Sequence, residues 1–128
     1  MAVGGAIGAT LRWAVQVWWE RWVASTAWAF VPGGTLIVNV VGCFLLAWWS
    51  SSVVATEGTP MWARALVTTG VLGAFTTFST FGVDAWRLLL DGRTWAAAGY
   101  VLVTLTTTGI AVILGWSLGS SLAASGRI

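Results

Sequence analysis

The chain has 128 residues, of which 58% are hydrophobic and 8% are charged, and it contains neither lysine nor histidine. A soluble domain carries about 25% charged residues, so this chain lacks the polar surface that contact with water on all sides requires. The net charge of +2 comes from six arginines, most of them near the ends of apolar stretches, which indicates contact with lipid headgroups and argues against a nucleic-acid partner.

The apolar stretches predict an all-α membrane protein. Charged residues are absent from 22–56, 65–83 and 94–126, and the N-terminal stretch up to Trp19 is interrupted only by Arg12. A membrane-spanning helix needs about 20 mostly apolar residues, and four stretches meet this length. We predict one domain of four transmembrane helices at about residues 2–22, 34–53, 61–90 and 94–118.

The first span contains close-packing residues and one charge. Gly4 and Gly8 form a small-xxx-small pair that allows another backbone to approach closely. An arginine inside a span costs at least about 2.5–3.5 kcal/mol unless it reaches the headgroups, pairs or faces water. Arg12 therefore either attracts an anion to the mouth of a pore or anchors the helix near the headgroups, and the sequence favours neither interpretation.

Tryptophan is unusually frequent, with eleven residues in the chain. Trp18, Trp19, Trp22 and Trp28 lie between the first and second spans. Indole rings concentrate at the headgroup level of a bilayer, so we predict that these residues form part of an aromatic belt with no chemical role.

The second span carries a single amide, Asn39. A carboxamide within hydrocarbon needs hydrogen-bond partners, so it either holds helices together or lines a polar path. Thr35 precedes Asn39 by four residues and Cys43 follows it by four, which places all three on one helix face. The single cysteine can form no internal disulfide, and packing is its simpler interpretation.

The third span contains a stretch that is a poor continuous helix. Gly70 and Gly73 lie three residues apart and are followed by the β-branched Thr76 and Thr77, which crowd the preceding turn. Irregular backbone at membrane depth is stable only where it is buried in protein or lines a wet cavity. We therefore predict a broken third helix and a functional site at the break.

Aromatic and hydroxyl residues follow the predicted break. Phe78 and Phe81 lie on one helix face, with Ser79 and Thr80 between them. Aromatic residues at this spacing more often pack in a core than form a site. Asp84 follows one turn later, near the end of the span, where we expect a solvated carboxylate.

The fourth span carries a stripe of hydroxyl groups. Tyr100, Thr104 and Thr108 recur at intervals of four residues and share one helix face. Threonine in a membrane helix can also return its hydroxyl to its own backbone, so the stripe alone is weak support for a polar path.

Together these groups predict a path for an anion. An amide and several hydroxyls donate hydrogen bonds without forming a deep electrostatic trap, and phenyl ring edges carry the positive end of the ring quadrupole. Proton-coupled transport requires a titratable group within the membrane, and the chain places its titratable groups at the periphery. The pattern therefore favours a passive pore.

A chain of this length can hardly enclose a selective path, so we expect an oligomer. With both termini on one side of the membrane, Arg64 and Arg127 lie there, and Arg21, Arg87 and Arg93 lie opposite. Loop arginines set orientation, and two against three is almost no bias. The chain can therefore insert both ways and pair as an antiparallel dimer, in which backbone carbonyls at the two breaks could coordinate a hard monovalent cation.

Three motifs resemble those of the Fluc (CrcB-like) fluoride channels. They are Gly4-Gly5-x-x-Gly8-Ala9-x-x-Arg12, Gly34-Thr35-Leu36-x-Val38-Asn39-x-x-Gly42 and Thr76-Thr77-Phe78-Ser79-Thr80-Phe81. The resemblance covers essentially the whole chain. Members of this family commonly have Gly-Gly-Leu where this chain has Gly73-Ala74-Phe75, and often a glutamate at the position of Asp84.

The resemblance implies a dual-topology dimer with two fluoride pores in the bacterial inner membrane, formed by two antiparallel copies or by a copy and a sister subunit. It implies an aromatic box of Phe78 and Phe81, fluoride coordination by Asn39, and a pore mouth with Arg12 and Asp84. It also implies a structural Na⁺ bound by backbone carbonyls of both copies. The remaining residues implied for the pore are Ser79, Thr80, Tyr100, Thr104 and Thr108, and those implied for Na⁺ are Gly73 and Thr76.

Three functions remain open from the sequence. The first is a passive fluoride exporter, not an enzyme, which lowers cytoplasmic fluoride without ATP or proton coupling. A small multidrug-type antiporter should carry a glutamate well inside the first span, where this chain has Arg12. A structural subunit of a larger membrane complex would leave the polar stripe without a purpose.

Overall fold

A computed structural model describes residues 1–54 and 58–125, and within these ranges the regular elements are all helical. The all-α expectation is confirmed. Arg127, which enters the count of loop arginines, lies outside the described residues. The helices are α1 (Ala2–Val23), α2 (Gly33–Trp49), α3 (Met61–Ala65), α4 (Gly73–Phe75), α5 (Phe78–Leu90) and α6 (Thr94–Ser125).

Three helical stretches of the described chain are long and apolar enough to cross a membrane, namely Gly33–Val53, Met61–Leu90 and Thr94–Ser125. The first is α2 with a π-helical continuation, Ser50–Val54. α1 has 22 residues but is not among the three stretches. Length and composition therefore support three of the four predicted spans, and α1 packs beside them as a fourth helix.

The third span is broken, as predicted. A π-helical segment, Leu66–Leu72, joins α3 to α4, and the backbone then becomes extended at Thr76 (ψ 158°) and Thr77 (φ −154°, ψ 117°) before α5 begins. The physical reason differs from the expected one, because Gly73 keeps helical dihedral angles. Thr77 instead ends the break as the N-cap of α5, where its hydroxyl accepts a hydrogen bond from the amide of Thr80 at 3.2 Å.

α1 packs closely against the first half of the third span. Gly8 lies directly against the carbonyl oxygen of Val71, where no Cβ could fit. A Cβ at Gly4 would lie 2.8 Å from the carbonyl oxygen of Leu66. The predicted close packing of Gly4 and Gly8 is confirmed, and it fixes α1 beside the break.

A tight turn reverses the chain between α5 and α6. Gly92 has a φ of 73°, and the amides of Gly92 and Arg93 donate to the carbonyls of Leu89 and Leu88 at 3.0 and 2.9 Å. These hydrogen bonds pair two carbonyl groups at the C-terminal end of α5. The turn also directs α6 back so that it packs along α5 and α2. The buried cluster at this end consists of Phe81, Leu88, Ala97 and Tyr100.

Small residues also bring α2 and α6 together. Gly115 of α6 lies directly against the carbonyl oxygen of Phe44, and Gly119 lies against the hydroxyl of Ser51. The two helices are therefore in contact over much of their length, which places the polar residues of α6 opposite Asn39.

Candidate functional site

Asn39 joins α2 to the break in the third span. Its carboxamide Nδ2 donates to the Thr77 carbonyl at 3.0 Å, and its Oδ1 accepts from the Thr77 amide at 2.8 Å. Both hydrogen bonds are buried, and together they replace the backbone partners that the extended residue lacks. Asn39 therefore holds two helices together and also keeps one of its two Nδ2 hydrogens free.

A half-open space, here called the aromatic cavity, lies beside this bridge and has a volume of about 230 Å³. The rings of Phe78 and Phe81 form one side, with centroids 5.6 Å apart and an interplanar angle of 47°. Five of the predicted pore residues meet at this cavity. Its lining consists of Asn39, Cys43, Thr76, Thr77, Phe78, Phe81, Thr104, Leu105 and Thr108.

The hydroxyls of the predicted α6 stripe have different partners. Thr108 returns its hydroxyl to the carbonyl of Thr104 at 2.7 Å, which is the local hydrogen bond that the sequence allowed. The Thr104 hydroxyl is buried at 4% exposure and makes no hydrogen bond of good geometry among the described residues, although the Tyr100 hydroxyl lies close enough to interact with it. The Tyr100 hydroxyl is also buried without a hydrogen bond of good geometry, and the Tyr100 ring packs 5.4 Å from the Phe81 ring.

A second space, the polar cavity, also lies beside the break and has a volume of about 430 Å³. Gln16 donates to the Thr35 hydroxyl at 3.4 Å, and Thr35 donates to the Asp84 carboxylate at 2.7 Å. Arg87 lies 4.0 Å from the same carboxylate. The Asp84 side chain is only 11% exposed, so the expectation of a solvated carboxylate is wrong. Its hydrogen bond with Thr35 makes this burial possible.

Ser79 and Thr80 lie apart from the aromatic cavity. Ser79 is exposed, and its Oγ lies 3.2 Å from the Thr77 hydroxyl. The Thr80 hydroxyl accepts from the Thr77 hydroxyl at 3.0 Å, and Thr80 lines the polar cavity. Thr77 therefore connects the two cavities, since its backbone binds Asn39 of the aromatic cavity and its hydroxyl binds Thr80 of the polar cavity.

The carbonyl side of the break lies close to a positive charge. Arg12 Nη1 lies 3.5 Å from the Thr76 carbonyl oxygen, a long hydrogen bond that places the guanidinium against the C-terminal end of α4. The Thr77 amide, which would bind the Gly73 carbonyl in a continuous helix, binds Asn39 instead. The Gly73 carbonyl therefore lacks its helical partner, the Thr76 carbonyl accepts from Arg12, and no cluster of metal-binding side chains is present in the described ranges.

Thr35, Gly42 and Thr77 are structurally important residues whose contacts sequence reasoning did not predict, although it placed Thr35 on the face of Asn39 and Thr77 at the break. The four-residue spacing between Thr35 and Asn39 was a usable signal, since both face the third span. Gly42 lies directly against the Thr76 side chain, so its small size lets α2 approach the break. Nothing in the local sequence distinguishes Thr77 from Thr76 as the residue that binds Asn39.

Comparison with known proteins identifies the family. Residues 1–116 match the family described as CrcB-like protein, Camphor Resistance (CrcB). The chain belongs to the CrcB-like family. All of the motifs that carry the resemblance lie within the matched residues, and two of them, around Asn39 and Phe78, meet at the aromatic cavity.

Similar proteins with curated names cover nearly the whole CrcB-like chain. The fluoride-specific ion channel FluC 1 of Halobacterium salinarum is 45% identical over 118 residues, covering 92% of this chain and 89% of that protein. The fluoride-specific ion channel FluC of Chloroflexus aurantiacus is 40% identical, with coverage of 93% and 91%. That of Agrobacterium fabrum is 39% identical, with coverage of 95% and 94%.

Proposed function

We propose that the protein is a fluoride-selective channel that releases F⁻ passively across the bacterial inner membrane and so lowers cytoplasmic fluoride. The observation that carries this proposal is the buried Thr104 hydroxyl, which lines the aromatic cavity and makes no hydrogen bond of good geometry in the described structure. A buried polar group without a partner is costly, so a ligand that accepts its hydrogen bond would relieve that cost. The names of the similar proteins support fluoride as that ligand.

The chemistry of the aromatic cavity suits a small anion. The free hydrogen of the Asn39 amide and the Thr104 hydroxyl are donors, and none of the lining residues is charged. Phe78 and Phe81 can present their ring edges, which carry the positive end of the quadrupole. Neutral donors can replace part of the hydration shell of an anion and still allow it to leave.

A second copy of the chain would complete the pore. Phe78 is 81% exposed in the single chain, although it forms one side of the cavity. A large apolar side chain at the edge of a polar path is expected to be covered by protein. We place an antiparallel copy there, or a sister subunit, so that the dimer contains two pores and α1 crosses the membrane as the fourth span.

The same dimer would hold a structural Na⁺ at its centre. The Gly73 carbonyl is available to this ion because the break diverts the Thr77 amide to Asn39, and the Thr76 carbonyl, which accepts only a long hydrogen bond from Arg12, would supply a second ligand. One chain supplies only two carbonyls, so the ligand set would require the partner copy. Exchanging Na⁺ for the much larger N-methylglucamine should lower the unfolding temperature of the dimer, and an unchanged temperature would contradict the Na⁺ site.

Fluoride efflux from liposomes that contain only this purified chain tests the proposed function. Wild type should release fluoride when a membrane potential drives it, at a rate that a protonophore does not change. Phe78→Ile and Asn39→Asp should abolish efflux. Phe44→Ile is the matched control, because Phe44 lies in a separate groove between α2 and α6 and lines neither cavity.

The outcome also separates the channel from the other two functions. Fluoride movement that requires a proton gradient would indicate an antiporter. No fluoride movement from a folded wild-type protein would favour a structural subunit. If neither Phe78→Ile nor Asn39→Asp changes the rate of fluoride efflux, the assigned pore lining is wrong.

A further inference from the structure

The outward face of the second half of α1 contains a groove that the proposed pore does not use. This α1 groove has a volume of about 490 Å³ and is lined by Trp13, Ala14, Val17, Trp18, Arg21 and Trp22. None of these residues lines either cavity at the break. The opposite face of α1 packs inward through Gly4 and Gly8.

The aromatic wall of the α1 groove is held in place by the fold. Trp19 donates its indole N–H to the Val31 carbonyl at 2.9 Å, which fixes Trp19 against the segment before α2. The Trp22 ring packs on Trp19 with centroids 5.3 Å apart. Trp18 stacks on Trp22 at 6.2 Å with an interplanar angle of 8°. The groove is therefore formed before anything binds.

Arg21 gives the α1 groove an uncompensated positive charge. It is exposed, and among the arginines of the described residues it alone has no hydrogen bond, ion pair or ring contact. The partners of the others are the Thr76 carbonyl for Arg12, the Thr59 carbonyl for Arg64, Asp84 for Arg87 and the Phe30 ring for Arg93.

The exposed indoles add hydrogen-bond donors beside this charge. Trp18 and Trp22 are 57% and 63% exposed, and neither indole N–H has an acceptor within the described part of the chain. Indole can only donate a hydrogen bond. A guanidinium and two indole donors at one end of an apolar groove fit an acceptor that is anionic and is joined to a hydrocarbon chain.

We infer that the α1 groove binds an anionic phospholipid. Arg21 and the indoles of Trp18 and Trp22 contact the phosphate, because guanidinium matches phosphate geometry and indoles lie at the headgroup level. The acyl chain lies along Val17 and Trp13, which are one and two turns deeper. A soluble anion would leave this apolar part of the groove uncovered. The inference does not depend on the proposed fluoride channel.

Lipid titration of the full purified chain in neutral detergent tests this inference. Phosphatidylglycerol and phosphatidylcholine are added separately, and lipid retention by native mass spectrometry and the unfolding temperature are measured. Wild type should bind phosphatidylglycerol about fivefold more tightly, the preference that one headgroup-level arginine provides. Arg21→Gln should remove this preference, and Trp22→Leu should weaken it although the charge remains.

Arg87→Gln is the matched control for general electrostatic attraction. Arg87 lines the polar cavity together with Trp19 and Glu20, so it lies at the same end of the molecule as Arg21. Its side chain is 72% exposed, and the substitution removes the same charge. The preference for phosphatidylglycerol should persist in this variant.

Four results would overturn the inference. If the wild-type protein binds the two lipids equally tightly, the inference fails, and this result does not depend on the folding of any variant. If Arg87→Gln loses as much of the preference for phosphatidylglycerol as Arg21→Gln does, the preference reflects general attraction between the positively charged protein and anionic lipid. If soluble glycerol phosphate raises the unfolding temperature as much as phosphatidylglycerol does, the groove is a site for soluble anions and not for a lipid. A change of oligomeric state in Arg21→Gln, measured by sedimentation, would show that the groove contacts a second copy.

Discussion

The aromatic cavity and the polar cavity both lie beside the break in the third span, and each is lined by hydroxyl groups from two parts of the chain. In the polar cavity the hydroxyl of Thr35 accepts from Gln16 and donates to Asp84. In the aromatic cavity the Thr104 hydroxyl is buried without a hydrogen bond of good geometry in the described chain. The protein satisfies its own polar groups in one cavity and leaves a donor unused in the other.

This difference separates structural from binding roles. A hydrogen-bonded chain that ends on a carboxylate stabilises the packing of α1, α2 and α5, and a ligand there would have to break existing bonds. The Thr104 hydroxyl beside the phenyl rings has only a weak competitor, the Tyr100 hydroxyl, so a bound anion would gain most of the hydrogen bond. Substitutions in the two cavities are therefore expected to have different consequences.

The largest effect is expected from Asn39→Asp, which alters the bridge between α2 and Thr77 beside the aromatic cavity. A carboxylate oxygen would face the Thr77 carbonyl where the amide now donates at 3.0 Å. The new charge would also be buried, since Asn39 is only 8% exposed. We expect the free energy of unfolding to fall by on the order of 3 kcal/mol, measured by thermal unfolding in detergent.

Cys43→Ser is the control for Asn39→Asp. Cys43 lies one turn further along α2 and lines the aromatic cavity. It should change the free energy of unfolding by less than about 0.5 kcal/mol, as most substitutions away from bonded groups do. An Asn39→Asp protein as stable as Cys43→Ser would show that the bridge to Thr77 is unimportant.

Gly42→Ala should sharpen the comparison by altering the width of the aromatic cavity. A Cβ at this position collides with the Thr76 side chain and lies 3.2 Å from the Phe75 ring. Such overpacking costs about 2 kcal/mol and should displace the break. We expect the ratio of fluoride to chloride efflux to fall.

Gly109→Ala tests whether that effect is specific to Gly42. A Cβ at Gly109 has no atom within 4 Å, so the substitution should be neutral or should stabilise α6 by roughly 0.5 kcal/mol. A similar fall in halide discrimination in both variants would show that Gly42 has no special relation to the cavity.

Thr35→Val should affect the stability of the polar cavity and leave halide discrimination unchanged. The substitution removes the 2.7 Å hydrogen bond to Asp84 and leaves that carboxylate poorly satisfied. The expected loss is about 1.5 kcal/mol, and Thr35→Ser should restore most of it. If Thr35→Val instead changes the fluoride to chloride ratio, the two cavities are not functionally separate.

Arg12→Gln should have the smallest effect. The guanidinium lies 3.5 Å from the Thr76 carbonyl, a long hydrogen bond at the C-terminal end of α4. A cation in this position stabilises a helix end by about 0.5 kcal/mol. Thermal unfolding that shows a loss several times larger would mean that Arg12 supports the break more strongly than this contact indicates.

The periodicity of the sequence was sufficient to predict much of the aromatic cavity. Residues four apart share a helix face, so Thr104 and Thr108 had to lie together on α6. The break in the third span was predicted from its threonines and glycines, because they disfavour a continuous helix in a span without charges. The glycine contribution was misjudged, since it is Thr76 and Thr77 that leave the helix and Gly73 that stays in it.

The partners of the buried polar groups could not be predicted from local sequence. Asn39 and Thr77 are 38 residues apart, and which backbone atoms a carboxamide reaches depends on how closely α2 approaches the break. Asp84 was expected to be solvated because it lies near a span end. Its burial depends on Thr35, which is 49 residues away in the chain.

Fluoride efflux and thermal unfolding of Thr104→Val, measured beside Thr108→Val, test the central claim most directly. Thr104→Val replaces a hydroxyl without a well-formed hydrogen bond by a methyl group of similar size, so stability should rise by about 1 kcal/mol. Efflux should nevertheless fall at least tenfold, with a smaller loss in Thr108→Val, whose hydroxyl already binds its own helix. A stable Thr104→Val protein that releases fluoride at the wild-type rate would contradict the account.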